Sequence, residues 1–264
     1  MPDFSVAGGA SLLPQPSAGL MGRQGAPVDW CRQFTPEVSL REMVEIPTTA
    51  ETRLCLVRHG ETEWNAERRI QGQIDIALNA VGLAQADAVG RWLRSSGAAA
   101  LYSSDLQRAW TTAGRIGAAL GLAPIAAPEL RERRYGLFEG LTYDEAKTRH
   151  PRGYAAFEAR QADYAFETGE SLRQMYARVT AKLAALAAVH AGQTVVVVVH
   201  GGVLDIVNRF VRGNPLEAPR DFLIPNAGLN WLSLRDGIWR IATWGDTAHL
   251  ELAALDELPD PGMC

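Results

Sequence analysis

Cysteine is scarce in this chain: Cys31, Cys55 and Cys264 are the three in 264 residues, an odd number at unrelated spacings. That excludes a disulfide framework and a zinc-ligand pattern, and it fits a reducing compartment. Long hydrophobic runs are missing as well. The most apolar one, Val195 to Val199, has the length of a strand, far short of the ~18 residues that a membrane span requires. A secretory signal is not evident either, because Asp3 stands near the start and prolines interrupt the apolar patch from Leu12 to Leu20. Nor does one sign of charge dominate. The 26 Lys and Arg against 30 Asp and Glu leave a net charge of -4, which offers no global attraction to nucleic acid or anionic lipid. The expectation is a cytoplasmic protein that binds neither nucleic acid nor membrane. An anionic substrate would need a local basic pocket.

What is present is an ordinary globular composition, with 47% hydrophobic and 21% charged residues. It is unevenly distributed. Residues 1 to 27 hold four prolines and five glycines without apolar periodicity, the signature of a disordered tail. Residues 28 to 52 contain Trp30, Phe34, Val38 and Leu40, which leaves a docked segment open, but a dispensable extension or a misassigned start codon is the favoured reading. The organisation read from the chain is an extension over 1–52, a catalytic domain over 53–252 and a tail over 253–264. A chain beginning near Thr49 is expected to keep full activity.

From Arg53 onward, short β-rich runs alternate with amphipathic helical ones, the pattern of an α/β sheet with helices on its faces. Leu54 to Val57 reads as a first buried strand ending in Arg58-His59-Gly60, and Asn79 as the N-cap of a helix running to Ser95. Ala98 to Tyr102 reads as a second strand. Ser104-Asp105-Leu106-Gln107 matches a capping box, which places Arg108 in the first turn of a helix running to Leu120 and stopping at Gly121. Pro124 to Ala127 is a weak third strand. Thr142 to Glu145 is a second capping box, opening a short helix that Pro151 ends. Arg152 to Thr168 is helix-compatible and rich in charge and aromatics, with a lid as one reading. A long helix spans Glu170 to Ala191 and stops before Gly192; Val195 to Val199 reads as a central parallel strand running into His200-Gly201-Gly202. Trp231 to Leu234 and Trp239 to Thr243, joined through Asp236-Gly237, form a hairpin.

Ligands of open α/β sheets bind at the carboxyl ends of strands. Two strands here end in His-Gly, and in each the glycine allows backbone N–H groups to approach a ligand closely. If those strands are neighbours, His59 and His200 face each other. His150 and His190 fall at helix ends, where a cation suits the dipole, and His249 is left unassigned. Two histidines with arginines suit phosphoryl transfer. A neutral imidazole attacks phosphorus well, and guanidinium forks neutralise the phosphoryl oxygens. Arg58 and Arg108 are candidates for that role, Arg108 with help from a helix N-terminus. A leaving alkoxide also needs an acid, and composition leaves all 30 acidic residues open.

Leu56-Val57-Arg58-His59-Gly60-Glu61-Thr62 with Trp64-Asn65 resembles the Arg-His-Gly signature of the histidine phosphatase superfamily, the phosphoglycerate mutase-like clan. Further blocks follow in the family's order: Gln71-Gly72 with Leu78, Gly82 and Gln85-Ala86; Ser103 to Ala109; Leu130-Arg131-Glu132 with Gly136 and Glu139-Gly140; Gly169-Glu170-Ser171; and Val199 to Gly202. Together they cover about residues 53 to 250. The resemblance implies a three-layer α/β sandwich with a mostly parallel central sheet. It implies that His59 is the nucleophile and becomes a phosphohistidine, that Arg58, Arg108 and His200 bind the phosphoryl group with Asn65 and Gly201, and that Glu132 is the acid and base. Double duty for Glu132 suits a carboxyl with a raised pKa. Gln71, Gly72 and Glu170 are assigned to the substrate-facing wall, although Glu170 reads equally well as the start of a helix. Glu61 and Glu63 have weaker claims, and Arg133, Arg134, Arg149, Arg152 and Arg160 either meet an anionic substrate tail or only solvate the surface.

A phosphohistidine passes its phosphoryl group to water in a phosphatase and to a bound monophosphate in a mutase. Gly136 and Gly169 lie 33 positions apart with the single proline Pro151 between them, so the long proline-bearing insertion of the mutases is missing. That favours a metal-independent phosphatase acting on small phosphomonoesters, without a cofactor. The block Glu132-Arg133-Arg134-Tyr135-Gly136 is similar to the mutase version, which keeps a phosphoglycerate mutase primed by 2,3-bisphosphoglycerate as the alternative. A phosphate-binding module without turnover is a third reading, disfavoured because it has no need of the acid. The expected partner is a small phosphorylated molecule, with a homodimer left open.

Overall fold

The computed structural model describes residues 50–250. The expected tail, and the expected extension except residues 50–52, lie outside the described residues. The elements in chain order are β1 (Thr52–Arg58), α1 (Glu63–Ala66), α2 (Ala80–Trp92), β2 (Ala98–Ser103), α3 (Gln107–Leu120), β3 (Ile125–Ala126), α4 (Tyr143–Arg149), α5 (Pro151–Glu158), α6 (Leu172–Val189), β4 (Thr194–Val199), α7 (Gly201–Arg212), β5 (Leu229–Arg235) and β6 (Ile238–Asp246). A 3-10 turn over Leu93–Ser95 carries α2 on to the residue the sequence predicts.

The strands form one sheet in the order β3-β2-β4-β1-β5-β6. β1, β2, β3 and β4 run parallel, and β5 pairs antiparallel with β1 and with β6. Successive strand side chains point to opposite faces, so a strand covered on both sides must be apolar at every position. β1 from Leu54 to Val57 and β4 from Val195 to Val199 meet that condition. Leu54, Leu56, Val195, Val197 and Val199 join the cluster under α6 and α7, whereas Cys55, Val57, Val196 and Val198 join the one under α2 and α3. The result is the expected three-layer sandwich. Asp236 and Gly237, at φ 52° and 75°, make the tight β5–β6 turn.

Residues 135–166 supply a third cluster, aromatic in character, in which Tyr135, Phe138 and Phe166 pack with Tyr143, Tyr154, Phe157 and Tyr164. The segment read as a lid thus becomes α5 and a packed aromatic wall. Pro151 both stops α4 and occupies the first position of α5, because the N–H it lacks is unpaired at a helix start in any case. α1 was not anticipated; Thr62 and Asn65 cap it reciprocally. Among the described residues no helix is long and apolar enough to cross a membrane.

Candidate active site

β1 and β4 are hydrogen-bonded neighbours with Arg58 opposite Val199, so the residues that follow them emerge side by side at the carboxyl edge. His59 and His200 accordingly meet, with ring centroids 5.2 Å apart. Both are buried. His59 Nδ1 lies 2.7 Å from the Gly60 carbonyl, which only accepts, so Nδ1 carries the proton and Nε2 keeps its lone pair. Burial, and then the charges of Arg108 and Arg58, hold its pKa well below the ordinary value. His200 is depressed by burial first, then by Arg108 and His59. Its Nε2 sits 2.8 Å from Ser104 Oγ, while Nδ1 has no partner among the described residues.

A cavity against His59 is lined by Arg58, Asn65, Gln71, Gly72, Arg108 and Glu132, with Arg69, Ile70, Tyr135, Tyr143 and Phe157 completing the wall. Arg58 ends β1 and donates Nη1 to the Ile224 carbonyl at 2.6 Å. Arg108, in the first turn of α3, donates to the carbonyls of Gly72 and Ile74 at 2.7 and 3.0 Å. Burial lowers its pKa to about 10, so it stays a cation at neutral pH. Asn65 Oδ1 accepts from the Thr62 N–H and hydroxyl, both at 2.9 Å, which leaves its NH2 as the group available to a ligand. Glu132 Oε1 accepts the Arg133 N–H at 2.6 Å and Oε2 the Gly202 N–H at 2.9 Å. A Cβ at residue 202 would lie 2.2 Å from that carboxylate, so glycine there is what lets α7 approach it.

Several assignments are corrected by the geometry. Glu170 is not on this wall: its carboxylate is gripped by Arg178 at 2.6 and 2.8 Å. Gly201 is buried at the start of α7 and does not line the cavity, whereas His200, which precedes α7, keeps its ring against His59. Gly60 is glycine for packing, since a Cβ there would lie 2.4 Å from the Gly82 carbonyl, and its N–H is taken by Thr112. Ser104 does not cap α3. The helix begins after Leu106, and Asp75 Oδ1 takes the Gln107 N–H at 2.6 Å, while the Ser104 hydroxyl accepts the Leu106 N–H at 3.3 Å and meets His200. Of the weaker candidates, Glu61 holds Asn79, Glu63 is exposed, Arg133 is buried on Phe166, and Arg160 pairs with Asp205. Arg149 pairs with Glu145.

Sequence reasoning missed three residues. Arg178 donates to the carbonyls of Glu129, Arg131 and Glu132, and so pins the loop that presents the Glu132 carboxylate. Asn226 donates to the His59 carbonyl and to Asn65 Oδ1. Asp75 caps α3 under Arg108. None carries a local signal, since each partner is remote in the chain. Among the described residues no group of three His, Cys, Asp or Glu is placed to hold a metal ion.

A neutral imidazole beside two guanidiniums, a second imidazole and a carboxylate at adjoining strand ends defines a phosphoryl-transfer site. The chain belongs to the histidine phosphatase superfamily, branch 1, which its sequence matches over residues 54–247. It is 42% identical over 202 residues to phosphoglycerate mutase-like protein 4 of Arabidopsis thaliana, covering 75% of this chain and 86% of that one. It is also 42% identical over 203 residues to a metal-independent phosphoserine phosphatase of Arabidopsis thaliana, covering 75% and 83%. The fold is similar to that of a mycobacterial glucosyl-3-phosphoglycerate phosphatase solved with VO3, at TM-score 0.67 and 31% identity over 74% of this chain and 99% of that one.

Proposed function

We propose that this chain is a phosphatase that cleaves small phosphomonoesters through a phosphohistidine at His59. The observation that carries the reading is the His59 tautomer: Nδ1–H is tied to Gly60, and Nε2 is free beside Arg58 and Arg108. In the first step the Nε2 lone pair forms the N–P bond, the P–O bond to the alcohol breaks, and Glu132 gives its proton to the departing oxygen. In the second, Glu132 takes a proton from water, the water oxygen bonds phosphorus, and the N–P electron pair returns to Nε2. Arg58, Arg108 and the Asn65 amide meet the phosphoryl oxygens. Ser104 Oγ accepts the Leu106 N–H and directs its own proton to His200 Nε2, so that His200 Nδ1–H is a further donor. The name of the phosphoserine phosphatase relative supports hydrolysis of a small ester.

Turnover of p-nitrophenyl phosphate is expected to persist in EDTA. In His59→Ala, turnover and acid-labile phosphoenzyme should disappear together; activity retained in that variant would overturn the mechanism. The mutase reading is kept because a relative of equal identity is named phosphoglycerate mutase-like. It requires that 2,3-bisphosphoglycerate stimulate interconversion of 3- and 2-phosphoglycerate, and no such stimulation would remove it.

A further inference from the structure

We propose that Asn226 is a positioning residue for phosphoryl transfer, whose amide fixes the His59 backbone and the Asn65 side chain relative to each other. The inference rests on the phosphatase reading above. Asn226 stands in the turn between α7 and β5, 167 positions after His59, and is fully buried. Its Nδ2 donates to the His59 carbonyl at 3.2 Å and to Asn65 Oδ1 at 3.4 Å. A carbonyl only accepts, so it is the NH2 side of Asn226 that faces the site. The orientation of Asn65 follows in the same way, because the Thr62 N–H, which only donates, meets its Oδ1 at 2.9 Å. With Oδ1 held by Thr62 and Asn226, the Asn65 NH2 is left to the cavity that Asn65 lines.

The turn is built around this contact. Ala227, also fully buried, has φ 57°, a left-handed conformation that a residue with a Cβ rarely adopts. That backbone brings its N–H to the His59 carbonyl at 3.3 Å, beside the Asn226 amide. The Ile224 carbonyl takes Arg58 Nη1, and the Gly228 N–H closes the turn on the Pro225 carbonyl at 3.0 Å. Arg58, His59 and Asn65 are therefore all held from one turn. Asn226 is not needed to satisfy its own partners: without it the Ala227 N–H stays on the His59 carbonyl, and Thr62 stays on Asn65 Oδ1. Its Oδ1 is buried without a partner among the described residues, a cost that stability alone does not justify. What the amide adds is direction. Two N–H bonds from one planar group set the nucleophile against the Asn65 amide, and phosphoryl transfer is sensitive to such alignment.

The test uses the full chain and p-nitrophenyl phosphate, whose leaving group departs without a proton, so that kcat/KM reads the nucleophile and its phosphoryl contacts rather than Glu132. Asn226→Ala is expected to lower kcat/KM by about tenfold or more while the melting temperature stays within about 5 °C of the wild-type value. Asn226→Asp, which keeps the shape and replaces the donors by a carboxylate, should lose at least as much. Because Asn226 acts in part through Asn65, the losses in Asn226→Ala and Asn65→Ala should not multiply: the double variant should be several-fold more active than the product of the two losses allows. A merely structural role would not produce that coupling. Wild-type kcat/KM in either Asn226 variant overturns the proposal, and so do fully multiplicative losses. Failure of Asn226→Ala to fold overturns it as well, since the amide would then be a folding contact. Absence of turnover in the wild-type chain defeats the phosphatase reading itself.

Discussion

At His59 burial and two neighbouring guanidiniums act in the same direction, against protonation. The proposed nucleophile, with a pKa well below 6.5, is still neutral when an ordinary histidine is half charged, so the acidic limb of kcat/KM is expected below pH 6.5, as a pH-rate profile will read. The same shift affects folding. His59 and His200 bind protons more readily in the unfolded chain, so their contribution to stability is present above about pH 6.5 and is lost as pH falls toward the folded-state values. Urea melts across that window should show a shallower loss in His200→Gln than in the wild-type chain; identical slopes would contradict the assignment. Arg178 acts at one remove. By holding the Glu129, Arg131 and Glu132 carbonyls while clasping Glu170, it positions the proposed acid. Arg178→Ala is expected to lower kcat by about tenfold or more with a smaller change in KM and an altered basic limb of the pH profile, and Arg178→Lys to restore part of it. Unchanged kcat and pH profile in a folded Arg178→Ala would show that the grip is only structural.

The elements meet around the site through close backbone crossings. The turn after β1 and the start of α2 touch through two glycines: a Cβ on Gly60 would lie 2.4 Å from the Gly82 carbonyl, and one on Gly82 2.1 Å from the Glu61 carbonyl. Those obstacles are backbone and cannot rotate aside. Gly60→Ala is accordingly expected to cost about 1–3 kcal/mol in thermal or chemical unfolding and to lower kcat by displacing His59. An unchanged melting curve would mean that α2 can shift freely. Element starts were legible where the cap is local: Thr142 with Glu145 closes its box as the pattern predicts. The similar pattern at Ser104 misleads because the helix starts further on: the Ser104 hydroxyl takes the Leu106 N–H and meets His200, and the Gln107 N–H goes to Asp75, 32 positions earlier. The weak run at Pro124 to Ala127 does pair, but only through Ile125–Ala126 at the edge of the sheet.

For the whole molecule, a net charge of -4 coexists with a basic cavity because folding gathers Arg58 and Arg108 at one point and leaves many carboxylates outside it. The family match begins at residue 54, so a chain starting at Thr49 is expected to turn over p-nitrophenyl phosphate with the kcat/KM of the full chain; a large loss would assign residues 1–48 a part in catalysis. By itself the sequence determined the layered α/β architecture, since unbroken apolar strands between amphipathic helices can be buried only in that way. It also determined the two His-Gly strand ends and, through ordered family blocks, the choice of Glu132 as the candidate acid. Only the tertiary structure decided that His200 leans on Ser104, 96 positions away, that Glu132 is held by Gly202, 70 positions away, and that Glu170 serves Arg178 instead of the cavity wall. The reason is physical. Periodicity and caps arise from neighbours along the chain, whereas the partner of a side chain at a strand end depends on which strands lie side by side, and that order is set by the packing of the whole sheet.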